Sequence, residues 1–156
     1  MKTTKDKKKD IKLDTSKDNN LNNKIKNFDV LKKEYELLEE HLTLNGVLRK
    51  MSETLELYLK MIQQILQPEE FHALHECSVF DDKDKIKLFD LYKSVIIVYR
   101  EVLKTEIINE EKNTLSTIQL VHEEIRSVKP QMLAIADKMQ GSWKRDIKKD
   151  NQRYFG

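Results

Sequence analysis

The residues best suited to chemistry in this chain are Glu69, His72, His75, Glu76 and Cys77, crowded into nine positions. On a helix His72, His75 and Glu76 share one face, and two imidazoles with a carboxylate can hold a single Zn²⁺ or Fe ion. Glu69-x-x-His72 also matches half of the pattern used by di-iron bundles. The other half is missing, because Gln119 stands where a glutamate should precede His122. Such residues on a short acidic helix are more commonly a solvated face, so no cofactor is expected. Cys77 adds little, since a histidine beside it on the same helix is not the oriented base that an activated thiol needs. Three scattered glycines provide no phosphate-cradling loop, and nothing reads as a strand-turn-helix elbow that would expose a serine nucleophile. The chain reads as non-catalytic.

The second chemistry on offer is anion binding at the two ends. Lys5, Lys7, Lys8, Lys9 and Lys12 are dense enough to displace counterions from phosphates. Lys144, Arg145, Lys148, Lys149 and Arg153 form a second group, with Trp143, Tyr154 and Phe155 beside it for stacking. Residues 1–26 hold nine lysines against four aspartates, and residues 144–156 hold five basic against two acidic residues. The segment between them carries fifteen basic and twenty-one acidic residues, so a formal net charge of +2 conceals an acidic body with basic ends. That division directs RNA, DNA or ribosome contact to the ends, though the interleaved aspartates weaken it. The plainer reading is a solubilising tail.

These side chains need elements to hold them. Of the 156 residues 38% are hydrophobic, below the roughly 45–50% of an average globular protein. The shortfall lies in the ends, and residues 27–143 are rich enough to build a core without metal or disulfide. Three Gly and two Pro are too few for the turns of a sandwich or barrel. The expected fold is therefore all-α, a helical bundle of about four long helices plus one short helix, with disordered basic ends over 1–26 and 144–156.

The first amphipathic stripe starts after Asn27, a suitable N-cap, with Phe28, Leu31, Tyr35, Leu38 and Leu42. Asn45-Gly46 interrupts it, and Val47, Met51, Leu55, Leu59, Ile62 and Leu66 resume it, which favours a helical hairpin over one long bent helix. Pro68-Glu69-Glu70 predicts the start of a short helix over 68–77. Asp81 to Asp84 cap a helix over 82–108, in which Ile86, Phe89, Tyr92, Ile96, Tyr99, Leu103 and Ile107 form one face while Leu88, Leu91, Val95, Val98 and Val102 cover much of the rest. A helix apolar nearly all round is usually buried, so this one is the expected centre of the bundle, with Ile96 and Tyr99 in mid-core. The last helix runs from Leu115 to Met139, bent or divided by Pro130 near Lys129 and stopped by Gly141.

A single cysteine suits a reducing compartment, and no apolar run approaches the length of a membrane span or a signal peptide, so a cytoplasmic location is expected. Broad apolar stripes on several helices invite another protein, or a second copy, to cover what one core cannot. The function expected from these features is that of a helical interaction protein, an adaptor or small subunit of a cytoplasmic assembly, with nucleic-acid or ribosome association through the basic ends as the alternative and a metal-binding bundle as the third reading.

Overall fold

The apolar spacings resolve into helices joined by short connections in a computed structural model, which describes residues 15–154 and the side chains of 20–146. In chain order these are α1 (Thr15–Lys24), α2 (Phe28–Glu34), a 3-10 turn (Glu39–His41), α3 (Leu44–Leu66), α4 (Phe71–Cys77), α5 (Asp82–Ile108) and α6 (Glu111–Tyr154). The all-α class is as expected, with no strand among the described residues. Three helices are long and three are short, in place of four long and one short. No helix among the described residues is long and apolar enough to cross a membrane.

α3 is the centre. Val47, Leu48, Met51, Leu55 and Ile62 recur at steps of one, three, four and seven along it and have no exposed surface at all. α5 and α6 pack on α3 and on each other, and α4 lies against α3 and α6. The expectation that α5 would occupy this place is overturned. α5 buries only one face, Leu88, Leu91, Val95, Val98 and Val102, plus Thr105, whose hydroxyl meets that of Thr117 on α6 at 2.8 Å. Ile96 and Tyr99 are half-buried, and Ile86, Phe89, Ile97 and Ile107 point away from the core. The physical reason is that three long helices around one seam need only one stripe from each, so apolar residues beyond that stripe stay outside.

The N-terminal boundary also moves. Residues 1–14 lie outside the described residues, but the expected unstructured tail over 1–26 gives way to α1, and Leu21 and Ile25 join the core. Two apolar side chains four residues apart suffice for one helical face, although ten residues with little periodicity look like a polar tail. Asn27 then turns the chain with a left-handed backbone, φ 62°, and makes no side-chain cap. The link to the bundle is polar as well, through Lys24 to Glu111 at 2.8 Å.

Residues 28–66 form neither a hairpin hinged at Asn45-Gly46 nor a single bent helix. α2 closes at Glu36, which adopts φ 50°, and the Leu37 N–H donates to the Lys32 carbonyl at 2.9 Å. This is a Schellman-type end in which glutamate occupies the position usually given to glycine. It turns Leu37 inward and leaves Leu38, an expected stripe residue, exposed. Gly46 sits inside the first turn of α3, where its N–H donates to Thr43 Oγ1 at 3.0 Å. A Cβ there would stand 2.8 Å from the His41 carbonyl oxygen, so this glycine permits the close approach of the 3-10 turn and does not end a helix.

The short helix α4 begins at Phe71, three residues later than expected, with Pro68 to Glu70 in the connection before it. α5 spans the expected residues, and its start is capped reciprocally by Asp81 and Asp84, the Asp84 N–H donating to Asp81 Oδ1 at 2.8 Å. α6 is continuous through Pro130 and Gly141, so of the expected bend or division at Pro130 the division does not occur, and Gly141 does not stop the helix. Pro130 is exposed, and Val128, Met132 and Ile135 on either side of it are held in the core, so the helix continues past one missing hydrogen bond. Gly141 lowers helix propensity by about 1 kcal/mol, and the buried Ser142 and the anchored Trp143 just beyond it keep the backbone helical.

Replacing Leu55 by Ala should lower stability by about 2–5 kcal/mol in urea unfolding, as for any core leucine, whereas Ile96→Ala should cost clearly less because that side chain is half-buried. Removing residues 1–26 should reduce the unfolding midpoint through loss of Leu21 and Ile25, and an unchanged midpoint would refute their place in the core. The hydrogen bond from Lys138 holds the Asp84 carboxyl below its ordinary range, assisted by the Asp81 backbone N–H. A depressed carboxylate stabilises above its ordinary range and loses that contribution as pH falls through the lowered folded value. Asp84→Asn should therefore destabilise at neutral pH, and its difference from the native chain should shrink in strong acid.

Candidate functional site

The histidine cluster is the first place to look for chemistry, and α4 presents two of its members, His75 and Glu76, to α6. The His75 ring lies against the indole of Trp143 with centroids 4.2 Å apart and planes tilted by 40°. The Trp143 Nε1–H donates to Glu76 Oε1 at 2.8 Å. His75 Nε2 is buried 3.4 Å from Asp146 Oδ2, close enough for attraction by a protonated ring but not aligned for a hydrogen bond. His72 pairs instead with Glu70 at the surface, its Nδ1 3.2 Å from Glu70 Oε2. The structure thus engages His75 and Glu76 in an α4–α6 clasp and leaves His72 apart from both. Among the described residues no three His, Cys, Asp or Glu side chains converge as a metal ion would require. Cys77 is half-buried, its Sγ–H donating to the Leu74 carbonyl at 3.3 Å.

His122 is equally committed to structure. Its Nδ1 is 3.2 Å from the Tyr35 hydroxyl and 3.9 Å from Glu34, which also faces Lys129 at 3.6 Å. Burial first, and the Glu34 charge second, raise the Tyr35 phenol above its ordinary value, so its O–H remains available to hold α2 on α6.

The basic groups divide. Lys5, Lys7, Lys8, Lys9 and Lys12 lie outside the described residues. Lys144, Arg145, Lys148, Lys149 and Arg153 all fall on α6, which extends the expected separate end into a continuous helix. Lys144 and Arg145 are exposed, Lys144 Nζ donating to Gln140 Oε1 at 2.7 Å. Trp143 is occupied by His75 and Glu76, which removes it from the set free to stack on bases.

A cleft of about 240 Å³ opens between the start of α5 and α6, floored by Leu88, Leu91 and Ile135, with Phe80 at one side. Lys138 crosses it, 4.8 Å from the Phe80 ring centroid and bonded to Asp84. Asp84 and Lys138 satisfy each other there, and Lys87 and Gln131 complete the polar part of the lining.

The outer face of α5 is different. Ile86, Phe89, Ile97 and Ile107 stand on the side opposite the core, with Ile97 68% and Ile107 84% exposed, and Ile108 continues the patch at its C-terminal end. Between them lie Asp90 paired to Lys93 at 2.6 Å and Glu101 near Lys104 at 3.5 Å. Lys93 Nζ also sits 5.1 Å over the Phe89 ring. Isolated exposed apolar residues are ordinary, but five along one helix face form a patch that water solvates poorly. The sequence signal for it was the recurrence of Asp90, Lys93, Glu101 and Lys104 in register with Ile86 and Ile97, which marks a face that meets solvent.

The chain matches no protein-family model, no curated protein and no solved structure.

If the α4–α6 clasp is structural, Zn²⁺ or a chelator should leave the melting temperature unchanged. Glu76→Ala should cost on the order of 1 kcal/mol through the lost indole hydrogen bond, read by chemical unfolding. A zinc-dependent rise in melting temperature that disappears in a His72→Ala, His75→Ala variant would restore the metal reading.

Proposed function

We propose that this protein is a non-catalytic helical interaction protein, an adaptor or small subunit of a cytoplasmic assembly, whose docking surface is the outer face of α5. The observation that carries this reading is the placement of Ile86, Phe89, Ile97 and Ile107 opposite the buried stripe of the same helix. Covering such a face removes apolar surface from water without disturbing the core, which is the usual driving force of helix-mediated association. The engagement of His75, Glu76 and His122 in contacts between helices supports a structural role for the groups best equipped for chemistry. The lone Cys77 supports a reducing compartment.

Contact of the basic ends with RNA, DNA or the ribosome is the second reading, supported by the charge division and by the exposure of Lys144 and Arg145 on α6. It implies binding that weakens steeply with salt.

A photo-cross-linking residue at Phe89 should capture a protein in cells, while the same residue at Leu133, equally exposed on α6, should not. Equal labelling at both positions, or none at either, refutes the docking surface. RNA binding that falls by orders of magnitude between low and moderate salt, and is lost when Lys144 and Arg145 become Ala, would favour the second reading.

A further inference from the structure

Resting on the reading of α5 as a docking surface, we propose that its occupant is a second copy of this chain, paired antiparallel through a two-fold axis at Ile97.

Along the midline of the outer face stand Ile86, Asp90, Lys93, Ile97, Glu101, Lys104 and Ile108, separated by four, three, four, four, three and four residues. These steps are those of a helix–helix seam, and their order is the same from either end. Reversing one copy about Ile97 sets Ile97 against Ile97, Lys93 against Glu101, Asp90 against Lys104 and Ile86 against Ile108. Every charge on the midline meets its opposite, and each apolar residue meets an apolar residue. Phe89 and Ile107 flank the midline on one side, and the two-fold brings Phe89 of one copy alongside Ile107 of the second. All five exposed apolar residues of the face are then covered by one another.

The charge order selects this arrangement over its competitors. A parallel pair in register would oppose Asp90 to Asp90, Lys93 to Lys93 and Lys104 to Lys104, each of them repulsive. An anionic membrane would accept Lys93 and Lys104 but reject Asp90 and Glu101 on the same midline. A self-complementary face closes on itself as a dimer and does not propagate. The seam is about 33 Å long at 1.5 Å per residue, and its few side chains per copy place it at the small end of specific interfaces. The dimer should therefore be reversible in the micromolar range.

The test is sedimentation velocity on the full chain over a concentration series at low ionic strength. The native chain should pass from monomer to dimer. Ile97→Asp, which buries two carboxylates at the axis, should abolish the dimer without changing helical circular dichroism, since Ile97 is exposed in the single chain. Lys93→Glu and Glu101→Lys should each weaken association about tenfold, roughly 1.4 kcal/mol, and the double variant should recover it. A native chain that stays monomeric, or a dimer indifferent to Ile97→Asp, overturns the proposal, and failure of the double variant to recover overturns the antiparallel register. A monomeric chain whose cross-linker at Phe89 captures a different protein would refute self-pairing while sustaining the docking surface. A monomeric chain with no cross-link would refute both.

Discussion

Everything in this molecule is arranged around the need to keep one side-chain row of α3 dry. Val47, Leu48, Met51, Leu55 and Ile62 have no surface left, and a helix cannot reach that state against a single neighbour. α5 and α6 must therefore close on it and on each other. α4 must cover the remaining flank, and the chain before α3 must fold back as a strap through Phe28, Leu31, Tyr35 and Leu42. The polar contacts fit this demand. Thr105 and Thr117 satisfy each other within the seam, and Tyr35 with His122 ties the strap to α6. Each is a buried or half-buried pair whose loss would leave a hydroxyl without a partner.

The same constraint explains where the rules of local structure give way. Pro130 and Gly141 are both helix-unfavourable, yet α6 continues through them because apolar or hydrogen-bonded residues on both sides are fixed to other helices. Glu36 takes a backbone conformation that disfavours any residue with a Cβ, at a cost of about 1–2 kcal/mol, and Leu37 enters the core in exchange. Tertiary burial outweighs local preference at each of these points because a fully buried aliphatic side chain contributes about 1.5–3 kcal/mol.

The surplus of apolar residues on α5 is what this architecture leaves uncovered. A central helix would have used it, and a helix at the periphery of a three-helix seam cannot. The face is crossed by paired charges of both signs, which keep it compatible with water in the single chain and give it polarity along its length. In the proposed pairing, orientation comes from charge order and apolar burial supplies the attraction. The histidine-rich helix α4, by contrast, spends its chemistry on position, with His75 and Glu76 closing over Trp143.

What the sequence determined by itself was the helical class, the span of α5 with its Asp81 and Asp84 cap, and the apolar stripes of α3 and α6, because these depend on spacing and capping within a few residues. The commitment of His75 and Glu76 to Trp143 was not legible, since residues so far apart in sequence have no shared local signal. The left-handed Glu36 was hidden because nothing but glycine or asparagine announces that conformation, and the role of Gly46 depended on how near the His41 carbonyl would come. Only the tertiary structure decided that α3 and not α5 is central, and so that an apolar face of α5 stays uncovered. Both faces of α5 bear the helical period, and periodicity tells which residues lie together on a helix but not which side its neighbours will take.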